Sequence, residues 1–205
     1  TLAPADWLME VVDTVKEYYG FNPQAEITIE ANPGTLSLAK LKSLRQCGIN
    51  RLSMGVQSLN AGLLHKLGRI HSVQDVADSL SWAREAGFDN INLDLIYGLP
   101  GQTAAIWMDT LEQLLSFKPE HIACYALSVE EGTPLEKALD RGLMTLPSEA
   151  EVEKMERILR KKLQGSGFEH YEISNWALPG RQCFHNKVYW RNAPYLGVGA
   201  GAVSY

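Results

Sequence analysis

Four hydrogen-bonding side chains recur at matching places in short apolar segments: Glu30, Gln57, Asp94 and Ser128. Each alternates with apolar neighbours. Thr28 and Glu30 alternate with Ile27 and Ile29, and Ser53 and Gln57 with Leu52, Met54 and Val56. Asn92 and Asp94 alternate with Ile91, Leu93 and Leu95, and Cys124, Ser128 and Glu130 with Ala123, Tyr125, Leu127 and Val129. Alternation with a period of two marks strands with two unlike faces. Two carboxylates, an amide and a hydroxyl meeting in one place have two uses: gripping a ligand through its ammonium or hydroxyl groups, or acid–base chemistry by Glu30 and Asp94. A buried carboxylate without a partner is strongly disfavoured, so the set calls for a cation, donors or a polar ligand. Internal hydrogen bonding explains any one of these residues as well. The four together favour a polar ligand site.

The elements that position them alternate along the chain. Apolar residues at helical spacing run from Trp7 to Tyr19, with Gly20 as a stop. A strand over 27–30 ends in Asn32-Pro33-Gly34, and a helix through Leu38, Leu41 and Leu44 leads to Gly48. Arg51–Gln57, Ile91–Tyr97 and Ile122–Val129 read as further strands, and Glu169–Trp176 as a fifth extended segment. Ser72-Val-Gln-Asp75, Thr133-Pro-Leu-Glu136 and Ser148-Glu-Ala-Glu151 read as capping boxes opening helices. Strand–helix alternation at these lengths implies parallel strands with crossover helices: an α/β fold, a barrel or open barrel. Polar residues would then face the lumen near the carboxyl ends of the strands, where such barrels bind ligands.

Composition narrows the class. The 205 residues are 45% hydrophobic with a net charge of −5, so no basic face points to nucleic acid. Cys47, Cys124 and Cys183 are far apart and form no CxxC, which argues against a disulfide framework or a self-contained metal site. No apolar run approaches membrane-spanning length, and the chain reads as cytoplasmic. It starts at Thr1 and ends in a Gly/Ala-rich stretch, Gly197 to Tyr205, so truncation at both ends is expected.

Three blocks carry a resemblance: Glu26-Ile-Thr-Ile-Glu-Ala-Asn-Pro33, Asn50-Arg-Leu-Ser-Met-Gly-Val-Gln-Ser58 and Asn92-Leu-Asp-Leu-Ile-Tyr-Gly-Leu-Pro-Gly-Gln-Thr103. In order and spacing the chain resembles the radical S-adenosylmethionine (SAM) family of oxygen-independent coproporphyrinogen III oxidases and haem chaperones. Tyr125–Pro134, Tyr171–Trp176 and His185-Asn-Lys-Val-Tyr-Trp190 resemble its HemW-like haem-chaperone branch. The resemblance implies a partial (βα) barrel of the radical SAM type, incomplete at its N-terminus. Residues 1–168 would form βα units, and 169–205 would begin a family-specific C-terminal extension. It further implies SAM, and a 4Fe-4S cluster held by a CxxxCxxC loop that this sequence lacks. Cluster ligands are therefore expected outside this chain, and a stretch alone should neither build the cluster nor show radical activity. An uncovered sheet edge is also expected, since the family's first two strands have no counterpart here.

By position, the family's SAM contacts fall on Glu30, Gln57, Arg69 and Asp94. Arg69 would take the SAM carboxylate, and the others its hydroxyls or ammonium. Ser128 falls near the expected adenine, as does the Gly98-Leu-Pro-Gly101 turn. His185 is the expected haem iron ligand, with Tyr189 and Trp190 available to cover a porphyrin face. The expected partners are haem or a porphyrin and haem-receiving proteins. Two alternatives stand beside the chaperone: oxidative decarboxylation of porphyrinogen propionates, and a SAM-independent barrel hydrolase or lyase.

Overall fold

The structure is a computed structural model that describes residues 2–20 and 22–205. Its elements in chain order are α1 (Ala5–Tyr19), β1 (Thr28–Ala31), α2 (Leu38–Gln46), β2 (Arg51–Gln57), α3 (Ala61–Lys66), α4 (Val73–Glu85) and β3 (Ile91–Tyr97). They continue with α5 (Ala104–Ser116), β4 (His121–Ala126), α6 (Pro134–Asp140), α7 (Glu149–Gly165), β5 (Glu169–His170), β6 (Asn175–Ala177) and α8 (Phe184–Trp190).

The strands lie in the order β1-β2-β3-β4-β6-β5. The first four are parallel, each reached through a crossover containing helix, as the alternation predicts. The fifth extended segment departs from that reading. Residues 169–177 fold back as two short strands, β5 and β6, antiparallel to each other, and β6 runs antiparallel to β4. Sequence periodicity does not distinguish one half-buried strand from a tight return of two. The open, curved α/β sheet is a partial barrel whose outer edge at β1 carries no further strand among the described residues.

One face of the sheet is the core. Leu52, Met54, Val56, Ile91, Leu93 and Leu95 are fully buried, together with Leu41, Leu44, Val76, Trp107, Met155 and Leu163 from the helices. Each such aliphatic side chain contributes roughly 1.5–3 kcal/mol relative to exposure. Trp107 also spends its indole N–H on the Met155 carbonyl at 3.0 Å, which ties α5 to α7.

Strand β4 corrects the sequence reading. Ile122 and Cys124 belong to the helix-side core, so Cys124 does not share the lumen with Asp94. His121, Ala123 and Tyr125 hold the opposite parity. Burial pushes the Cys124 thiol well above its ordinary range, as suits an inert core sulfur.

Caps follow the sequence with two variations. Ser72 and Asp75 form the complete reciprocal box at α4. At α6 and α7 only half of each box forms, with Thr133 and Ser148 accepting from the third helical N–H. The partner carboxylates go elsewhere: Glu136 takes the Gly132 N–H, and Glu151 takes the Ala104 N–H at 2.7 Å, the first turn of α5. A carboxylate at that helix start is also favoured by the helix dipole. No helix among the described residues is long and apolar enough to cross a membrane.

Candidate functional site

The lumen face of the sheet is polar, and strand register decides which side chains meet there. Glu30 pairs with Ser53 across β1–β2, Ser53 with Asn92 across β2–β3, and Asp94 with Ala123 across β3–β4. An irregularity between Met54 and Gln57 shifts the register so that Gln57 pairs with Leu95. Gln57 itself adopts φ +66°, a left-handed conformation uncommon outside glycine. Such backbones concentrate at functional positions, where the surroundings hold them.

Glu30, Gln57, Arg69 and Asp94 line one cavity of about 710 Å³ beyond the carboxyl ends of β1 and β2. Four residues singled out from sequence thus share one wall. Gly55 keeps that wall open: a Cβ there would lie 3.0 Å from Gln57 Nε2 and 3.1 Å from Asn32 Oδ1.

Ser128 does not join them as a strand residue. It lies past the end of β4, exposed, with its hydroxyl on Glu130 at 3.2 Å. It lines a neighbouring cavity of about 350 Å³ that shares Gln57 and Asp94 with the first. The Gly98–Gly101 turn lines neither cavity; Gly101 instead leaves room for Lys66, whose ammonium binds the Pro100 carbonyl at 3.2 Å.

His185 sits in the first turn of α8, exposed, with Nε2 3.0 Å from Tyr189 Oη. It lines a third cavity of about 400 Å³ toward the amino ends of the strands, together with Glu26, Arg51, Asn92, Asn175 and Asn186. Glu30, Ser53 and Asp94 line both this cavity and the first, so the two adjoin through the lumen.

A buried hydrogen-bonded chain crosses between them. Asn92 Nδ2 donates to Asp94 Oδ1 at 2.6 Å and to Ser53 Oγ at 2.8 Å. His121 Nδ1 lies 2.6 Å from Asn92 Oδ1, and Nε2 lies 2.7 Å from Tyr171 Oη. Asn186 Nδ2 in turn donates to Tyr171 at 3.3 Å. The amide oxygen of Asn92 takes an N–H at Nδ1, and Tyr171, which already accepts from Asn186 and from the Cys183 N–H, gives its own proton to Nε2 of a neutral ring. Burial, with the nearby Arg51 charge, holds His121 down at about 3. Burial raises Asp94 to about 6, with Glu30 adding to the rise and Asn92, Arg51 and Arg69 opposing it. Burial also lifts Tyr171 to about 12.

Sequence reasoning passed over His121 and Arg51. Arg51 was legible by parity, sharing its face with Ser53 and Gln57, whereas His121 shares its face with Ala123 and Tyr125, which give no polar signal.

The donor set fits SAM. Arg69 supplies a cation for a carboxylate, and Glu30, Gln57 and Asp94 supply acceptors for hydroxyl or ammonium groups. A cluster fits no group here. Cys47, Cys124 and Cys183 are buried at separate places, and no trio of His, Cys, Asp or Glu suited to a metal exists among the described residues.

The sequence profile of the Radical SAM superfamily matches residues 2–114. The Synechocystis heme chaperone HemW is 42% identical over 100% of this chain and 50% of its own length. HemW of Bacillus subtilis is 44% identical over 88% of this chain and 48% of its own. Coproporphyrinogen III oxidase HemN from Escherichia coli, a radical SAM enzyme, superposes with a TM-score of 0.81 at 27% identity, covering 98% of this chain and 49% of that one. The chain therefore spans about half the length of the relatives it matches.

Proposed function

Because the chain belongs to the radical SAM superfamily, we propose that its protein is a HemW-like haem chaperone that binds SAM in the large lumen cavity and haem beside α8. The observation that carries the SAM half is the meeting of Glu30, Gln57, Arg69 and Asp94 in one cavity. The haem half rests on the relatives' names and on His185, which stands exposed at a cavity mouth among aromatic side chains.

In this reading Arg69 binds the SAM carboxylate through its planar fork, which matches a carboxylate in shape and charge. Asp94 and Gln57 accept from ribose hydroxyls, and Glu30 accepts from a hydroxyl or the ammonium. Ser128 lines the adjoining cavity, within which the adenine would extend past Gln57. Bound SAM, with a cluster whose ligands lie outside these residues, supplies one-electron chemistry in this superfamily. The chain's own residues fix where SAM lies. Asn92 holds Asp94 Oδ1 at 2.6 Å, leaving its other oxygen for the ligand.

On the haem side, His185 supplies an imidazole for the iron, and Tyr189 and Trp190 supply apolar cover. Residues 169–205 belong to the start of an extension that shapes this haem-binding end. The protein acts in the cytoplasm and passes haem to receiving proteins.

A second reading, oxidative decarboxylation of porphyrinogen propionates, draws on the likeness to the Escherichia coli oxidase. Two measurements separate them. Haemin added to the full chain should shift the Soret band in a His185-dependent way if the protein carries haem. Anaerobic turnover of coproporphyrinogen, with deoxyadenosine released, would instead support the oxidase.

A further inference from the structure

Arg51 opens β2 with its side chain in the lumen, 3% exposed, in the cavity that Glu26, Asp94, His185 and Asn186 also line. Its Nε has no hydrogen-bond partner, and no carboxylate among the described residues forms an ion pair with it. A buried guanidinium is normally matched by a carboxylate, often through two parallel hydrogen bonds. Three carboxylates, Glu26, Glu30 and Asp94, line the same cavity, and none of them pairs with Arg51. Glu26 accepts from the Phe184 N–H at 3.2 Å, from Cys183 Sγ at 3.4 Å and from Thr28 Oγ1 at 3.4 Å. Asp94 accepts from Asn92. Arg51 is also the one arginine or lysine lining this cavity among the described residues. A buried guanidinium whose Nε stays unpaired beside a cavity of about 400 Å³ leaves a place where an anionic group would meet the Arg51 charge.

We propose that Arg51 is a carboxylate anchor, and that the cavity behind His185 takes in one propionate arm of a tetrapyrrole whose macrocycle lies outside, against α8. The proposal rests on the haem reading and adds to it a residue that selects for the ligand's acidic arms. The cavity mouth carries His185 and Asn186, so a ligand bound there presents its edge to the lumen and its face to Tyr189 and Trp190. A propionate is short, flexible and planar at its end, the shape that a guanidinium fork recognises.

The test compares haemin with haemin dimethyl ester, which keeps iron and macrocycle but loses both negative charges. The full chain, as wild type, Arg51→Gln and Arg51→Lys, is titrated with each while the Soret band is followed. Wild type should bind haemin at least about tenfold more tightly than the ester, the size of one charge-assisted hydrogen-bonded contact. Arg51→Gln should bring haemin down to the ester's affinity and leave the ester unchanged, with Arg51→Lys between. Equal affinity of wild type for acid and ester overturns the anchor and leaves the haem reading intact, even where the variants fail to fold. A folded Arg51→Gln that keeps the preference for acid overturns it as well. Absence of any Soret change with either ligand overturns the haem reading and the anchor together.

Discussion

His121 and Tyr171 close a half-buried contact between β4 and the returning segment before β6, with Nε2 2.7 Å from the phenol oxygen. His121 is fully buried, and its other nitrogen is spent on Asn92. Tyr171 is thus the donor that satisfies the last polar atom of a buried imidazole. Tyr171→Phe leaves that nitrogen unpaired and should lower stability by about 1–3 kcal/mol. Urea unfolding midpoints, with an unchanged slope, measure the loss; a midpoint equal to wild type would show that the contact holds nothing.

Two neighbouring groups give stability opposite dependences on pH. His121 binds a proton near 6.5 when unfolded and only near 3 when folded, so acidification through that window favours the unfolded chain. Asp94 rises from 3.8 to about 6 on folding, so the folded chain holds the extra proton there and stability falls as pH rises through that window. Each contributes at most about 1.4 kcal/mol per pH unit, and they oppose each other where the windows overlap. Relative to wild type, Asp94→Asn should therefore lose stability more steeply on acidification from about pH 6 to pH 4, and His121→Gln less steeply. Parallel denaturation curves for the three proteins across that range would refute the assignment.

Gly55→Ala tests the wall of the large cavity. The added methyl group would press on Gln57 Nε2 at 3.0 Å and on Asn32 Oδ1 at 3.1 Å, so each must give by a few tenths of an ångström. Gly55 itself needs no unusual backbone angle, so stability should change by under about 1 kcal/mol. SAM affinity should nonetheless fall several-fold, because Gln57 must shift. An unchanged affinity would mean that the Gln57 amide does not touch the ligand.

The proposed haem end offers a test that separates His185 from its phenol partner. Tyr189 holds His185 Nε2 at 3.0 Å, which competes with iron for the same nitrogen. Tyr189→Phe keeps the aromatic ring and frees that nitrogen, so haemin affinity should hold or rise, while His185→Ala should abolish the histidine-dependent Soret shift. A Soret shift indifferent to His185 moves the iron ligand elsewhere.

Much of this was readable before any coordinates. Periodicity placed the four parallel strands, and the polar parity of β1, β2 and β3 placed Glu30, Gln57 and Asp94 on one face. It failed at β4, where Ala123 and Tyr125 look as apolar as Ile122 and Cys124, so the alternation carries no sign. Misreading that parity sent Cys124 to the lumen and hid His121. Ser128 was read as strand because its neighbours alternate, yet the chain leaves the sheet at Ala126. The left-handed Gln57 and the half-formed caps at α6 and α7 depend on tertiary partners, Glu151 on Ala104 above all, and local sequence does not encode them.

The joint cavity of Glu30, Gln57, Arg69 and Asp94 is best tested by calorimetric titration of the full chain with SAM. Wild type should bind, and Glu30→Gln, Gln57→Ala, Arg69→Ala and Asp94→Asn should each weaken binding by about tenfold or more. Exposed Glu131→Gln should match wild type. Binding that all four substitutions leave untouched, or no binding by wild type, would contradict a SAM site built from these side chains.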